Sequence, residues 1–186
     1  MRLGWDDASR NAAVLAKRAE DIGVKAITVH GRTRQQFYKG AADWQAVRAA
    51  RDAVDIPVIV NGDVTDFASA REALIQSGAS AIMIGRGVYG RPWLASWLND
   101  ALISGTPDAQ PAPQHRLDVI LEHFQSSLEF YGSSLGLRMF KKHLGWYLEA
   151  GDYNADPAIR RQDKARICRL DIAADIELEL KRLMSA

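Results

Sequence analysis

The sequence has 186 residues, of which 25% are charged and 47% are hydrophobic, and its formal net charge is +1. This length can form one domain, or one and a part, around a hydrophobic core, and a nearly neutral chain indicates no particular partner. No apolar run has the length of a membrane span, and the single cysteine, Cys168, excludes an internal disulfide and favours the reducing cytoplasm.

Short β-branched runs alternate with helical patterns in the first hundred residues. Asp43 and Asp66 stand at helix N-cap positions, and Gly23 and Gly78 stand where helices end. Residues 1–3 fit the tail of a further strand. The predicted strands are residues 24–29, 56–60 and 80–84. Apolar strands that alternate with amphipathic helices predict a parallel sheet covered by helices.

Two folds produce this alternation. One is an open doubly wound sheet, and the other is a (β/α)8 barrel. A complete barrel needs about 250 residues, and only three full units are present here. In both folds a ligand binds at the carboxyl ends of the strands, so the residues at those ends are the candidates for a site.

Each predicted strand ends in polar residues beside glycine. Asn61 can donate and accept hydrogen bonds in one plane, which suits the edge of a heterocycle, and Arg86 can bind phosphate. The alternative is structural, with tight turns, Asp63 as a helix cap and His30 bonded to backbone. Three such ends together favour a flavin or phosphate ligand over a metal, because no second His or Cys has ligand spacing. The three ends are His30-Gly31-Arg32, Asn61-Gly62-Asp63 and Gly85-Arg86-Gly87.

The chain changes character after about residue 104. Residues 105–113 hold three of the six prolines and indicate a linker. Beyond them, apolar residues recur at helical spacing only, which predicts a helical bundle over residues 114–186. The predicted helices cover residues 117–131, 135–148, 157–169 and 172–183.

Two basic segments could bind a polyanion. Arg32 and Arg34 follow the first strand, together with Tyr38, which could stack on a base. A second group lies on one face of a predicted helix, with His143 at its edge. A nucleic-acid surface and an ordinary solvated face are both compatible with these groups. The helical group is Arg138, Lys141, Lys142 and Gly145.

Five segments taken in order resemble tRNA-dihydrouridine synthases, and most of all the bacterial B type. They are MRLGWDD, ITVHGRTRQQFYKGAADW, IPVIVNGD, IMIGRGVYGRPW and RMFKKHLGWYL. The resemblance implies a TIM barrel followed by a helical domain, so that residues 1–104 would be the last three to four βα units of the barrel. It also implies FMN as cofactor, NADPH as reductant, and reduction of the C5–C6 bond of uridine in tRNA.

The resemblance carries roles over to particular residues. It implies a flavin site formed by His30, by Asn61, Gly62 and Asp63, and by Gly85 and Arg86. It implies tRNA contacts from Arg32, Arg34, Arg138, Lys141, Lys142 and His143. The catalytic cysteine of the family lies in a segment that this sequence does not contain, so no catalytic residue is assigned.

The resemblance therefore implies the C-terminal half of a synthase, expected to be inactive alone. An incomplete barrel leaves strand edges open, so we expect self-association. Two other functions stay open from the sequence. One is a tRNA-binding module without catalysis, and the other is part of an FMN barrel enzyme that acts on a small pyrimidine.

Overall fold

A computed structural model describes residues 1–107, 109–151 and 153–184. They divide into two compact units, one formed by residues 1–88 and 94–107, the other by the described parts of 89–93 and 108–186. The first unit contains, in chain order, a 3-10 turn Asp7–Ser9, α1 Ala12–Asp21, β1 Ile27–His30, α2 Trp44–Asp52, β2 Val58–Asn61, α3 Phe67–Ser77, β3 Ala81–Met83, a 3-10 turn Arg86–Val88 and α4 Leu94–Ser104. The described part of the second unit contains α5 Pro113–Tyr131, α6 Ser133–Ala150, α7 Pro157–Ile167 and α8 Ala173–Met184.

The described strands form a parallel sheet in the order β1-β2-β3. Val29 and Val60 are fully buried, and buried positions alternate with half-buried ones along β1 and β2. Arg2 forms a parallel bridge with His30, so the start of the chain continues the sheet beyond β1 as predicted. The α/β class with a parallel sheet is thus confirmed.

Local capping residues fix the ends of the helices in the first unit. The Asp43 side chain accepts from the backbone of Ala46, and Asp66 forms a capping box with Ser69. Gly78 ends α3 in the left-handed conformation, at φ 65°. These N-caps and this helix end are the predicted ones.

The strands are shorter than predicted. The backbone N–H of Val24 donates to the carbonyl of Ala19 at 3.0 Å, so residue 24 closes the end of α1 instead of starting β1. At the other end, β1 and β2 continue through His30 and Asn61. The polar residues at these two ends therefore belong to the sheet ladder itself, which fixes their positions.

The second unit packs its described helices around an aromatic and aliphatic core. Phe124 on α5 and Phe140 on α6 are fully buried, with ring centroids 4.7 Å apart. The helices occupy the predicted stretches, whereas a bundle domain over residues 114–186 stays a prediction. Residue 108 of the predicted linker, and residues 152, 185 and 186, lie outside the described residues. Among the described helices, none combines the length and the apolar character needed to cross a bilayer.

Candidate active site and basic surface

The carboxyl ends of the three described strands bring the predicted ligand residues to one edge of the sheet. His30 pairs in register with Asn61, and Asn61 pairs with Met83. The amide of Asn61 donates from Nδ2 to the carbonyl oxygen of Met83 at 2.7 Å. This bond fixes the plane of the amide, so its orientation is set by the protein before any ligand arrives.

Gly62 lets the turn after β2 pass close to His30. Its φ is +118°, and a Cβ there would lie 2.8 Å from Cβ of Ala42 and 2.9 Å from Cδ2 of His30. The indole Nε1 of Trp44 donates to the Gly62 carbonyl at 2.8 Å and holds the turn from the other side. A side chain at this position would displace the His30 ring, so glycine is required here.

Arg32 is buried within the loop after β1. The family resemblance implies a tRNA contact for Arg32, but its side chain lies inside the protein and the residue is only 2% exposed. Nη1 and Nη2 donate to the two carboxylate oxygens of Asp63 at 2.9 and 2.6 Å. Nη2 and Nε also donate to the carbonyls of Gly40 and Lys39 at 2.6 and 3.2 Å. Arg32 therefore organises the loop from within and has no exposed face for a ligand.

The tautomer of His30 follows from its contact with Arg32. Nη1 of Arg32 lies 3.3 Å from Nε2 of His30. A guanidinium can only donate, so Nε2 is the acceptor and the ring proton lies on Nδ1. Burial lowers the pKa of His30, and the guanidinium groups of Arg2 and Arg32 lower it further. His30 is thus a neutral ring at pH 7 that can donate a hydrogen bond from Nδ1.

The carboxyl group of Asp63, which binds Arg32, stays ionised at pH 7. Burial by itself would raise the pKa of Asp63, but the hydrogen bonds from Arg32 and from the backbone of Ala42 outweigh burial and lower it. The residue also has a positive φ of 53°, a conformation that aspartate tolerates better than most residues. Asp63 therefore anchors the loop after β1, and it does not cap α3, whose N-cap is Asp66.

Tyr38 links the loop after β1 to the turn after β3. The guanidinium carbon of Arg86 lies 4.3 Å from the Tyr38 ring centroid, and that of Arg2 lies 5.6 Å from it. Tyr38 is 49% exposed. The sequence showed both residues but not this cation–π contact. Arg34 is exposed in the same loop, with its guanidinium carbon 5.3 Å from the ring of Phe37.

The residues at this edge fit a phosphate-bearing heterocycle. Gly85 has open space where a Cβ would stand, with no atom within 4 Å, so a ligand can approach its backbone. Arg86 next to it is exposed and always charged. The Asn61 amide and the neutral His30 ring supply hydrogen-bonding groups for a ring system. This donor set suits a ring system that carries a phosphate, and the described residues hold no cluster of three or more His, Cys, Asp or Glu for a metal.

The predicted helical group of Arg138, Lys141, Lys142 and Gly145 lies on α6 and is partly exposed and partly covered. Arg138 and Lys142 are exposed. Lys141 is only 22% exposed in its side chain and donates from Nζ to Oδ1 of Asp171 at 2.7 Å. Gly145 is buried, and a Cβ there would lie 3.0 Å from Cε of Lys164 on α7. The four residues share one face of α6, as their spacing predicts, and contacts with Lys164 and Asp171 cover the part of it that holds Gly145 and Lys141.

His143 belongs to an aromatic group on α5 and α6. Its ring lies edge-on to those of His123 and Trp146, with centroids 4.7 and 5.2 Å away. Burial lowers the pKa of His143, and the ammonium of Lys142 adds to this effect. His143 is therefore a neutral, half-buried ring beside the exposed cations at pH 7.

Cys168 lies at the C-cap of α7. Its thiol is 3.9 Å from the carbonyl oxygen of Lys141 and packs against the helical core. Burial raises the pKa of this thiol. These surroundings are those of a structural cysteine.

Comparison with known proteins finds one family over nearly the whole chain. The family model described as dihydrouridine synthase (Dus) matches residues 1–176. A probable tRNA-dihydrouridine synthase of Rhodobacter capsulatus is 54% identical over 150 residues, which are 81% of this chain and 46% of the relative. Its counterpart in Rickettsia conorii is 52% identical over 147 residues, or 79% of this chain and 44% of the relative. The tRNA-dihydrouridine synthase B of Shewanella oneidensis is 38% identical over 175 residues, or 94% and 52%. The chain spans about half the length of these curated relatives.

Proposed function

Because the chain belongs to the dihydrouridine synthase family, we propose that it forms part of an enzyme that reduces uridine in tRNA to dihydrouridine. The observation that carries the proposal is the convergence of His30, Asn61 and Arg86 at one edge of a parallel sheet. We further propose that residues 1–104 are the last units of a TIM barrel and that residues 114–186 form a helical tRNA-binding domain.

The proposed cofactor is FMN. When bound, FMN carries hydride from NADPH to the C5–C6 double bond of uracil. Gly85 and Arg86 would hold its phosphate, because the backbone at Gly85 is open and the guanidinium of Arg86 is exposed. Asn61 and the Nδ1–H of His30 would bond to the ring system, and Arg32 and Asp63 would keep both loops in place.

Flavin binding tests this assignment. We expect the chain to quench the fluorescence of added FMN, and Arg86→Gln to raise the Kd about tenfold, since a hydrogen bond to a charged group contributes about 1.5–3 kcal/mol. The control is Arg51→Gln, because Arg51 is an exposed arginine of the same unit that pairs with Asp52. Equal affinity of all three proteins, or no quenching at all, would contradict the proposed flavin site.

The proposed tRNA contacts are those cations of the two predicted basic segments whose side chains are exposed. Arg34 supplies one in the first unit, and Arg138 and Lys142 supply two in the second, with His143 beside them. Arg32 and Lys141 are left out because their side chains are only 3% and 22% exposed and are paired with Asp63 and Asp171. The alternative of a tRNA-binding module without catalysis shares these contacts but needs no flavin, so the FMN titration separates the two functions.

We propose that these 186 residues alone do not complete the reaction. The protonation of uracil needs an acid, and the family resemblance implies that this acid is a cysteine. The single cysteine of this sequence, Cys168, lies in the second unit, where its thiol is 3.9 Å from the carbonyl oxygen of Lys141. An assay with unmodified tRNA, FMN and NADPH should give no dihydrouridine. Turnover by the chain alone would contradict this part of the proposal.

We also propose self-association through the edge of the sheet. Among the described residues, β3 pairs with β2 on one side and with no other strand. Met83 is 46% exposed there, and an apolar groove of about 420 Å³ runs between β3 and α4. Such an open edge favours pairing with another strand. Sedimentation should show a dimer or larger species at micromolar concentration, and a stable monomer would contradict this.

A further inference from the structure

Tyr89 and Trp146 form a stacked aromatic pair on the surface of the second unit. Their ring centroids are 3.9 Å apart and their planes differ by 12°. Gly90 permits this approach, because its φ is +73° and a Cβ there would lie 2.1 Å from the carbonyl oxygen of Trp146. Tyr89 is nevertheless 43% exposed. The backbone thus holds a large ring against α6 while leaving much of it open to solvent.

The cation Lys142 and the neutral ring of His143 lie beside this pair. Lys142 and His143 precede Trp146 by four and three residues, so all three lie on one face of α6. Nζ of Lys142 lies 5.1 Å from the Trp146 ring centroid. The sequence of α6 has one acidic residue, Glu149, which pairs with Lys164. The face around the pair therefore has net positive charge, and the exposed Arg138 extends it.

An exposed aromatic ring beside cations is the combination that binds unpaired nucleotides. Every nucleobase has a face that stacks on tyrosine or tryptophan, and the adjoining phosphate needs a positive charge. The core aromatic rings Phe124 and Phe140 are fully buried and offer no face to a ligand, whereas Tyr89 is 43% exposed. The exposure of Tyr89 and the position of Lys142 are instead those of a stacking site with a phosphate contact.

We propose that Tyr89, supported by Trp146, is a stacking platform for an unpaired base of the tRNA, and that Lys142 contacts the neighbouring phosphate. This rests on the proposed function, because it takes tRNA as the ligand. It adds Tyr89 and Trp146 to the binding surface and assigns them a different kind of contact from that of the basic residues.

The test measures tRNA affinity of the full chain at several salt concentrations. Tyr89→Leu removes the ring, Tyr89→Phe keeps it, and Phe130→Leu removes a ring that is 81% exposed elsewhere in the unit. We expect Tyr89→Leu to raise the Kd about fivefold or more, with an unchanged salt slope, because stacking releases no counterions. Tyr89→Phe and Phe130→Leu should bind as the parent chain does. Circular dichroism confirms that each variant is folded.

The outcomes separate this inference from the proposed function. If the parent chain binds tRNA and Tyr89→Leu binds equally well, the stacking platform is wrong and the tRNA surface stands. Equal losses in Tyr89→Phe and Tyr89→Leu would assign the contact to the hydroxyl and also overturn stacking. If the parent chain does not bind tRNA, the proposed tRNA surface fails, and this site fails with it.

Discussion

The guanidinium of Arg32 and the carboxylate of Asp63 form a two-point ion pair that joins the loop after β1 to the turn after β2. The two hydrogen bonds measure 2.9 and 2.6 Å, and the Arg32 side chain is 3% exposed. The same guanidinium orients His30, since Nη1 of Arg32 also contacts Nε2 of the His30 ring at 3.3 Å. Two neighbouring parts of the candidate flavin site thus depend on one buried contact.

Removing the charge of Asp63 should destabilise the first unit. Asp63→Asn tolerates the positive φ but leaves the buried Arg32 without its anion, so we expect a loss of about 2 kcal/mol in the free energy of unfolding. The matched control is Asp171→Asn, because Asp171 is 87% exposed and its pair with Lys141 contributes under about 0.5 kcal/mol. Urea unfolding measures both, and equal effects would contradict the anchoring role of Asp63.

The pair between Arg32 and Asp63 also predicts that the protein loses stability in acid. The pKa of Asp63 is lowered by folding, because the hydrogen bonds from Arg32 and Ala42 outweigh burial. Its stabilisation is therefore present above about pH 4, the usual pKa of an unfolded aspartate, and is lost as the pH falls through the folded pKa. Unfolding measured between pH 5 and pH 2 should show this loss in the parent chain and not in Asp63→Asn.

Gly62→Ala should lower the free energy of unfolding by more than the strain of the positive φ alone would lower it. The added Cβ would lie within 2.9 Å of both Ala42 and His30, in addition to the strain of φ +118°. Gly105→Ala is the control, since Gly105 has φ +79° and open space around it. We expect Gly62→Ala to lower the free energy of unfolding by at least about 1 kcal/mol more than Gly105→Ala does. Equal thermal shifts would show that the contact with His30 is not tight.

Tyr38 should act as a positioning residue for Arg86. Its ring lies 4.3 Å from the Arg86 guanidinium carbon, a contact that contributes about 0.5–1 kcal/mol at an exposed site. Tyr38→Leu should therefore weaken FMN binding about threefold, whereas Tyr38→Phe should restore it. The measurement is the FMN titration proposed for Arg86→Gln. In the Arg86→Gln background Tyr38→Leu should have no further effect, and an additional loss there would contradict action through Arg86.

His123 and His143 should titrate as neighbours. Burial lowers the pKa of His123, and the charge of His143 lowers it further. His143→Gln should therefore raise the pKa of His123 towards its usual value of about 6.5. Because folding lowers both pKa values, their contribution to stability is greatest above about pH 6.5 and falls as the pH drops from there towards the folded values. NMR of the imidazole signals measures the shift, and an unchanged His123 would contradict the coupling.

Lys141 and Lys142 should differ in their effect on tRNA binding although they are adjacent. Lys142 is exposed, whereas Lys141 donates to Asp171. Lys142→Gln should lower the affinity and reduce the slope of log K against log salt by about 1, while Lys141→Gln should leave the slope nearly unchanged. Equal slopes in the two variants would mean that neither the low exposure of Lys141, at 22% of its side chain, nor its pair with Asp171 keeps it from the phosphates.

Local sequence determined the order of helices and strands in this protein and the residues at the ends of the strands. Asp43, Asp66 and Gly78 act on the backbone within three or four residues of themselves, so their effect is visible without the fold. His30 and Asn61 reach one edge of the sheet because parallel strands place their carboxyl ends together.

Only the tertiary structure decided which charged residues remain available for a ligand. Arg32 meets Asp63, which lies 31 residues further along the chain, and Lys141 meets Asp171, which lies 30 residues further. Arg34 and Lys142 belong to the same basic segments and stay exposed. No local pattern distinguishes the two cases, because the free energy of a charged side chain depends on the partners and the burial that distant parts of the chain provide.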